Sequence, residues 1–155
     1  IDAYVATIEQ AVRRVETLTG RPPVLVCHSM GGLAARAWWR AHGVDGRVAR
    51  IITIGSPHHG TWLARFSRMP NGRQMRQRNA WLAALELSET RRPLPPCTCW
   101  YSNCDNIVFP ARTASLPHAD NRLLPGVAHV ALAFHPAVIA DTMRHLATSV
   151  GAEEK

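Results

Sequence analysis

Lysine and long apolar runs are both scarce in this sequence of 155 residues. Its only lysine is Lys155, so arginine supplies 17 of the 18 basic side chains and nearly all of the formal net charge of +7. A nucleic-acid surface would need those arginines on one face, with aromatic side chains between them, and the arginines are instead scattered. We therefore predict a solvated cationic surface and no nucleic-acid partner.

No apolar run reaches the roughly 18 residues that a membrane-spanning helix needs. The most apolar stretch, residues 127–134, is interrupted by His129. The length suits one hydrophobic core and leaves no room for two large domains. Because the sequence starts inside a helical pattern and without an initiator methionine, we interpret residues 1–155 as the C-terminal part of one domain, with its cellular location open.

The four cysteines lack the two matched pairs that a zinc site requires, so we predict no metal. Cys97 and Cys99 are two residues apart, which would place both on one side of a strand. They could be core thiols, or one of them could pair with Cys104 in an oxidising compartment. The pattern leaves both possibilities open.

Helical and strand patterns alternate along the chain. Apolar residues recur every three or four positions in residues 1–18, as in an amphipathic helix, and short apolar runs suit strands buried in a parallel sheet. This alternation predicts an α/β fold, a mostly parallel sheet with flanking helices. The predicted elements are helix Ile1–Leu18, strand Val24–Cys27, helix Met30–Ala41, strand Val48–Ile54, strand Thr98–Ser102, a short strand at Leu123–Leu124 and helix Pro136–Thr148.

Residues 61–96 interrupt the alternation. They are polar and rich in arginine around one amphipathic piece, Ala80–Leu87. We interpret this segment as a cap or lid inserted into the domain. In the helix before it, Leu33, Ala37 and Trp38 are expected to face the sheet.

A serine lies between the first strand and its helix, in Cys27-His28-Ser29-Met30-Gly31-Gly32. A serine on such a sharp turn has its hydroxyl exposed above the sheet, provided that small residues stand two before and two after it. Cys27 and Gly31 meet this need. Ser29 is thus a candidate nucleophile, with the backbone N–H of Met30 as an oxyanion donor, and helix capping is the alternative role.

A serine nucleophile needs an imidazole base and a carboxylate that orients it, and on a strand-turn-helix serine site these follow in the order acid, then histidine. Asp105 follows the third strand, where the acid is expected. Asp120 is the second choice, and Asp141 is predicted on the surface of the last helix. A turn role is the alternative for Asp105.

His129 follows the last predicted strand, where a loop could bring its ring to Ser29. The other downstream histidines fit this position less well, namely His118, His135 and His145. Three further histidines near the strand ends are candidates for lining the pocket, although we favour structural support as their role: His28, His58 and His59.

These motifs together resemble the bacterial lipase and esterase branch of the α/β-hydrolase family. The resemblance rests on four segments that span nearly the whole chain, 28–33, 52–61, 105–110 and 126–129. It implies a partial α/β-hydrolase fold and hydrolysis of acyl esters through an acyl-enzyme, with Ser29 as nucleophile, His129 as base and Asp105 as its partner, and no cofactor. In that family, early strands and a loop with a second oxyanion donor precede this segment, so we expect the 155-residue chain alone to be weakly active or inactive.

Other readings of the same residues remain. An acyltransferase or thioesterase would use the same triad, and a degenerate fold could serve as a binding module. The expected partner is a small or lipid acyl ester, with contact to a lipid interface as a possibility and no protein partner implied. The insertion has enough apolar side chains to cover a pocket, and core packing explains them equally well: Trp62, Leu63, Phe66, Met69, Trp81, Leu82 and Leu85. If the insertion contacts the acyl chain, removal of the Trp81 side chain is expected to alter the preferred chain length.

Overall fold

The computed structural model describes residues 1–150. Within these residues there are four strands and six α-helices, with short 3₁₀ turns at Asp2–Tyr4, Trp62–Phe66 and Ala111–Ala114. The strands are β1 (Val24–His28), β2 (Arg50–Ile54), β3 (Cys97–Tyr101) and β4 (Asp120–Leu123). The helices are α1 (Val5–Thr19), α2 (Met30–His42), α3 (Pro70–Gln74), α4 (Ala80–Arg91), α5 (His129–Ala133) and α6 (Pro136–Val150).

The four strands form one parallel sheet in chain order, β1-β2-β3-β4. The register aligns Val26 with Ile52, Ile52 with Thr98, and Thr98 with Asp120. The predicted α/β class with a parallel sheet and flanking helices is confirmed. Because all strands run the same way, their carboxyl ends meet at one edge, which is where open α/β sheets place their sites.

Two expectations about the strands are wrong. The last strand spans Asp120–Leu123 instead of Leu123–Leu124. The sequence pattern missed its start because the polar residues of this edge strand carry no apolar signature. The first strand is not buried on both faces: it is the other edge of this four-stranded sheet, and Val26 is 47% exposed. Helix α5, which begins at His129, was not predicted.

Helix α2 is buried almost all round, because other helices cover the side that faces away from the sheet. Trp38 packs with Ile51 of β2, as expected. Leu33 and Ala37 do not face the sheet, since they pack in a cluster with Leu82 and Leu85 of α4. Helix α4 lies in the segment that was expected to form a cap. It belongs instead to the layer of helices that packs around α2.

An ion pair inside this layer corrects the picture of a uniformly solvated arginine surface. The side chain of Arg36 is only 1% exposed, and its guanidinium makes two bonds to Glu89, of 2.7 and 2.9 Å. A third bond of 2.9 Å goes to the carbonyl of His58. Two parallel bonds of this kind are directional as well as strong. Arg36 thus joins α2 to α4 and to the loop after β2.

The opposite face of the sheet is covered by α5 and α6. Leu132 and Val138 pack there against Ile52, Ile54 and Trp100. Asp141 was predicted on the surface and is buried instead. Its carboxylate accepts bonds from Arg122 of β4 at 2.6 Å and from Arg144 at 2.9 Å, and these partners allow a charge to lie inside.

The sequence leaves open whether Cys97 or Cys99 pairs with Cys104. Within residues 1–150 all four cysteines are free thiols; Cys97 and Cys99 are buried with 3.9 Å between their sulfurs, and Cys104 is exposed.

No helix in the described part of the chain is long and apolar enough to cross a membrane.

A buried carboxylate in α1 makes stability depend on pH. Glu9 accepts hydrogen bonds from Trp38 at 2.9 Å and from Arg47 at 3.1 Å, and it pairs with Arg13. Burial acts to raise the pKa of Glu9, but these partners more than offset it and lower the pKa to about 2. The ionised form therefore stabilises the fold at neutral pH, and this contribution is lost as pH falls from about 4.5 toward 2.

We predict that Glu9→Gln lowers the melting temperature most at pH 6–7 and progressively less toward pH 2. Thermal unfolding followed by circular dichroism over this pH range measures the difference from wild type. Asp45→Asn, at an exposed position outside this cluster, is the control and should show little change. A Glu9→Gln effect of equal size at every pH would contradict the assigned role.

Candidate active site

A strained turn presents Ser29 at the carboxyl edge of the sheet. Ser29 has φ 54° and ψ −126°, a region that non-glycine residues rarely adopt. Its backbone N–H donates to the carbonyl of Ile54 at 2.8 Å, which ties the turn to the end of β2. The serine lies where β1 ends and α2 begins, as the sequence predicts.

The turn requires a close approach between α2 and β2 at Gly32. A Cβ on Gly32 would lie 2.3 Å from Ser56 Oγ and 2.7 Å from Ser56 Cβ. A Cβ on Gly31 would meet only Cys27 Cβ, at an ordinary 3.6 Å. The second glycine of the motif therefore allows the helix to dock, and Cys27 fits where a glycine is more usual.

The three residues predicted as a triad lie in one hydrogen-bonded chain. His129 Nε2 is 2.9 Å from Ser29 Oγ, and His129 Nδ1 is 2.8 Å from Asp105 Oδ2. Because an ionised carboxylate only accepts hydrogen bonds, Nδ1 carries the proton and Nε2 is left to accept from the serine hydroxyl. Both Asp105 and His129 are buried.

The surroundings of Asp105 keep it ionised. Burial acts to raise its pKa, but the bond from His129 and the backbone N–H groups of Val108 and Ile107, at 2.7 and 2.8 Å, more than offset this and lower the pKa. A charged acceptor at this position holds the ring of His129 in one orientation and would stabilise its protonated form.

The loop after β2 makes room for the imidazole and the carboxylate. Gly55 has φ 57°, and a Cβ there would lie 3.1 Å from both Asp105 Oδ2 and His129 Nδ1. A side chain at this position would thus be strained and would press on the bond between Asp105 and His129. The sequence analysis did not single out Gly55.

Three polar side chains in the loop after β3 hold the segment that carries His129. Ser102 Oγ accepts from the N–H of Val127 at 3.1 Å, Asn103 Oδ1 from that of Gly126 at 2.9 Å, and Asn106 Oδ1 from that of His129 at 3.2 Å. The sequence analysis missed this function, although the dense run of Ser and Asn beside Asp105 was a usable signal.

The three candidate pocket histidines have different surroundings. His28 Nε2 donates to the carbonyl of His129 at 3.2 Å, and their ring centroids are 4.7 Å apart, so His28 supports His129. His58 is completely buried and lies 3.0 Å from Thr53 Oγ1, which contradicts a pocket-lining role and fits the favoured role of structural support. Burial lowers the pKa of His58, which favours its neutral form.

His59 lines a cavity that is separate from the serine site. The cavity has a volume of about 530 Å³ and lies between α4 and residues 116–119. His59 Nδ1 is 2.9 Å from Glu86 Oε1 on its wall. Neither Ser29 nor His129 contacts this cavity.

The alternative acid and bases lie outside the hydrogen-bonded chain. Asp120 is exposed and accepts from Arg122 at 2.7 Å, so it pairs within its own strand. Of the remaining histidines, His118 lies on the wall of the cavity. His135 directly precedes α6, and His145 lies within it.

The backbone N–H of Met30 stands at the first position of α2, where N–H groups have no partner within the helix. The positive end of the helix dipole lies at the same place. Among the described residues, no group of three or more His, Cys, Asp or Glu side chains could hold a metal ion.

A family model described as the PGAP1-like alpha/beta domain matches residues 4–110 of this chain. The matched span contains Ser29 and Asp105, and His129 lies beyond it. A comparison with curated protein sequences gave no significant match.

Solved structures share the fold at low sequence identity. The Bacillus licheniformis lipase BlEst2 in mature form superposes with a TM-score of 0.77 at 17% identity, over 92% of this chain and 73% of that one. Aspergillus fumigatus lipase B gives 0.66 at 21% identity, over 79% of this chain and 34% of that one. Phospholipase PlaB from Legionella pneumophila gives a TM-score of 0.67 at 15% identity, over 90% of this chain and 46% of that one. The chain therefore has a partial α/β-hydrolase fold and spans a third to three quarters of these proteins.

We predict opposite outcomes for two adjacent glycines. Gly32→Ala should destabilise the protein by about 1–3 kcal/mol because its methyl group would overlap Ser56. Gly31→Ala meets only an ordinary contact, and alanine is the better helix former, so it should be neutral or stabilising by up to about 1 kcal/mol. Urea unfolding of both variants measures this. Equal losses in the two would show that the docking of α2 does not depend on Gly32.

Proposed function

Because this chain belongs to the PGAP1-like α/β domain family, we propose that it is the catalytic part of a serine hydrolase that cleaves carboxylic esters. The observation that carries the proposal is the hydrogen-bonded chain from Ser29 through His129 to Asp105. A core histidine would not need a serine on a strained turn at one nitrogen and an ionised carboxylate at the other.

In the first half of the proposed reaction, Ser29 Oγ attacks the carbonyl carbon of the ester while its proton moves to His129 Nε2. The imidazolium that forms is stabilised by Asp105. The tetrahedral intermediate then collapses, the bond to the alcohol oxygen breaks, and His129 gives its proton to the departing alcohol. The acyl group remains on Ser29 as an ester.

In the second half, His129 removes a proton from water, whose oxygen attacks the acyl carbon. The intermediate collapses with release of the carboxylic acid, and the proton returns to Ser29 Oγ. The same bond between Asp105 and His129 serves both halves. No step needs a metal or cofactor.

The developing negative charge on the carbonyl oxygen needs hydrogen-bond donors. We assign one donor to the N–H of Met30, which the strained turn and the start of α2 place next to Ser29. In the family that the motifs resemble, a second donor comes from a loop before the nucleophile strand. The weak activity expected of the 155-residue chain by itself stays a prediction.

The surroundings of the site favour an acyl ester of a lipid or another apolar compound. Ile107 follows Asp105 closely and Val130 follows His129, and both are exposed apolar side chains. Two of the similar structures are lipases and one is a phospholipase, which supports the same substrate class.

Trp81, which the sequence analysis offers as a contact for the acyl chain, has other partners in the structure. Trp81 Nε1 donates to Asp2 at 2.9 Å, and Arg40 stacks over its ring at 5.9 Å. Arg40 is eleven residues along α2 from Ser29, which is roughly 16 Å at the rise of an α-helix. We propose instead that the lid-like part of the insertion is residues 61–79, because Trp62 N–H donates to the carbonyl of Phe109 at 2.9 Å, near Asp105.

Ser29→Ala should abolish hydrolysis of p-nitrophenyl esters, with a fall on the order of 10⁶-fold in kcat. A series from short to long acyl chains, assayed on the protein in its full natural length, also gives the preferred chain length. Ser115→Ala, at a partly exposed serine whose hydroxyl donates to the carbonyl of Arg112 and lies outside the hydrogen-bonded chain of the site, is the control and should keep full activity. Retention of turnover by a folded Ser29→Ala protein would exclude Ser29 as the nucleophile.

Asp105→Asn should lower kcat by roughly 10⁴-fold, because an amide can hold the imidazole in the wrong tautomer. Asp120→Asn is the matched control, since Asp120 is the other acid that the sequence allows. The proposed assignment would be reversed if Asp120→Asn removed activity and Asp105→Asn did not.

A further inference from the structure

One segment of the chain carries positive charge without any negative charge. Residues 61–85 contain five arginines and no aspartate or glutamate, and all five arginines are exposed: Arg65, Arg68, Arg73, Arg76 and Arg78. Charge of one sign concentrated in this way favours an anionic partner.

The same segment exposes large apolar side chains. Trp62 is 44% exposed, Phe66 is 65% exposed and Met69 is 70% exposed. The rings of Trp62 and Phe66 meet edge to face at 5.2 Å, and the guanidinium of Arg65 lies over both, 4.9 and 5.0 Å from their centroids. Trp62, Arg65 and Phe66 therefore form a compact cluster at the surface, and Met69 is exposed three residues further along the chain. We call Trp62, Arg65, Phe66, Arg68 and Met69 the arginine–aromatic surface.

The backbone under this surface is held in place. Thr61 forms a bridge with Arg76, and its N–H donates to the carbonyl of Met75 at 2.9 Å. The guanidinium of Arg76 donates to the carbonyls of Ala64 at 3.3 Å and Ser67 at 2.8 Å. Because the segment closes on itself, the exposed rings belong to a folded feature.

The surface adjoins the proposed active site. Thr61 Oγ1 donates to the carbonyl of Ile107 at 2.6 Å, and Trp62 N–H donates to that of Phe109. Ile107 and Phe109 belong to the loop whose N–H groups bind Asp105, and their side chains are also exposed. Whatever binds the arginine–aromatic surface would therefore lie beside the approach to Ser29.

We propose that the arginine–aromatic surface docks this protein onto an anionic lipid bilayer. Tryptophan and phenylalanine are suited to the boundary between headgroups and acyl chains, and arginines around them attract anionic headgroups. The proposal concerns binding alone and does not depend on hydrolysis by Ser29. Docked in this way, the site would face the lipid from which an ester substrate comes.

A bilayer fits these observations better than a nucleic acid does. Single-stranded nucleic acids bind by stacking bases on free aromatic faces. Here Trp62 and Phe66 pack edge to face against each other and the guanidinium of Arg65 lies over each ring, so neither ring is a fully open platform. Insertion of the ring edges and of Met69 into a lipid interface needs no such platform.

The test is sedimentation of the full-length protein with vesicles of phosphatidylcholine alone, and with vesicles that also contain phosphatidylglycerol. We expect binding to the anionic vesicles that weakens with added salt. Each of Arg65→Gln and Arg68→Gln should weaken it about fivefold, and Phe66→Ala should weaken it without changing its salt dependence. Tryptophan emission should shift to the blue on binding, and Trp62→Phe should remove most of the shift.

Arg14→Gln and Leu18→Ala, at exposed positions on α1, are matched controls for charge and apolar area and should bind as wild type does. Melting temperatures equal to that of wild type show that the variants are folded. Failure to bind anionic vesicles would overturn the proposal, as would equal binding to neutral vesicles or equal losses in the α1 controls. Tighter binding to a single-stranded oligonucleotide, with the same dependence on Arg65 and Phe66, would assign the surface to nucleic acid instead.

Discussion

The docking of α2 against the end of β2 is the constraint on which the site depends. A non-glycine residue at φ 54° costs about 1–3 kcal/mol and persists only where its surroundings enforce it. Here the bond from Ser29 N–H to the carbonyl of Ile54 and the close contact at Gly32 enforce it. The ion pair of Arg36 with Glu89 holds the same helix from its other side. The strain of the turn is thus offset by the packing of the whole helix layer.

The imidazole is positioned by loops from different strands, and this makes the geometry cooperative. Gly55 leaves space, the loop after β3 supplies Asp105, and Asn106 accepts from the backbone of His129. His28 supports His129 from the turn that carries Ser29. Most of these contacts join a side chain to a backbone group, so the site is built before any substrate arrives, which is what electrostatic catalysis requires.

Local patterns predicted most of the elements and brought Ser29, Asp105 and His129 together correctly, because a strand-turn-helix serine and the chain order of its partners are strong local signals. Features that depend on tertiary contacts were not predictable in this way. Arg36 and Asp141 look like surface residues in the sequence, and only the placement of Glu89 and Arg122 makes their burial possible. The complete burial of His58 could not be predicted either, because its position in the chain does not reveal what covers it.

The most direct test of the account is covalent trapping with an alkyl fluorophosphonate, followed by mass spectrometry of the peptides. The account predicts that the phosphonyl group attaches to Ser29 and to no other serine, and that labelling slows greatly in His129→Ala because the hydroxyl loses its base. Labelling elsewhere, or no labelling of a folded protein in its full natural length, would contradict the claim that the turn at Ser29 exists to present a nucleophile.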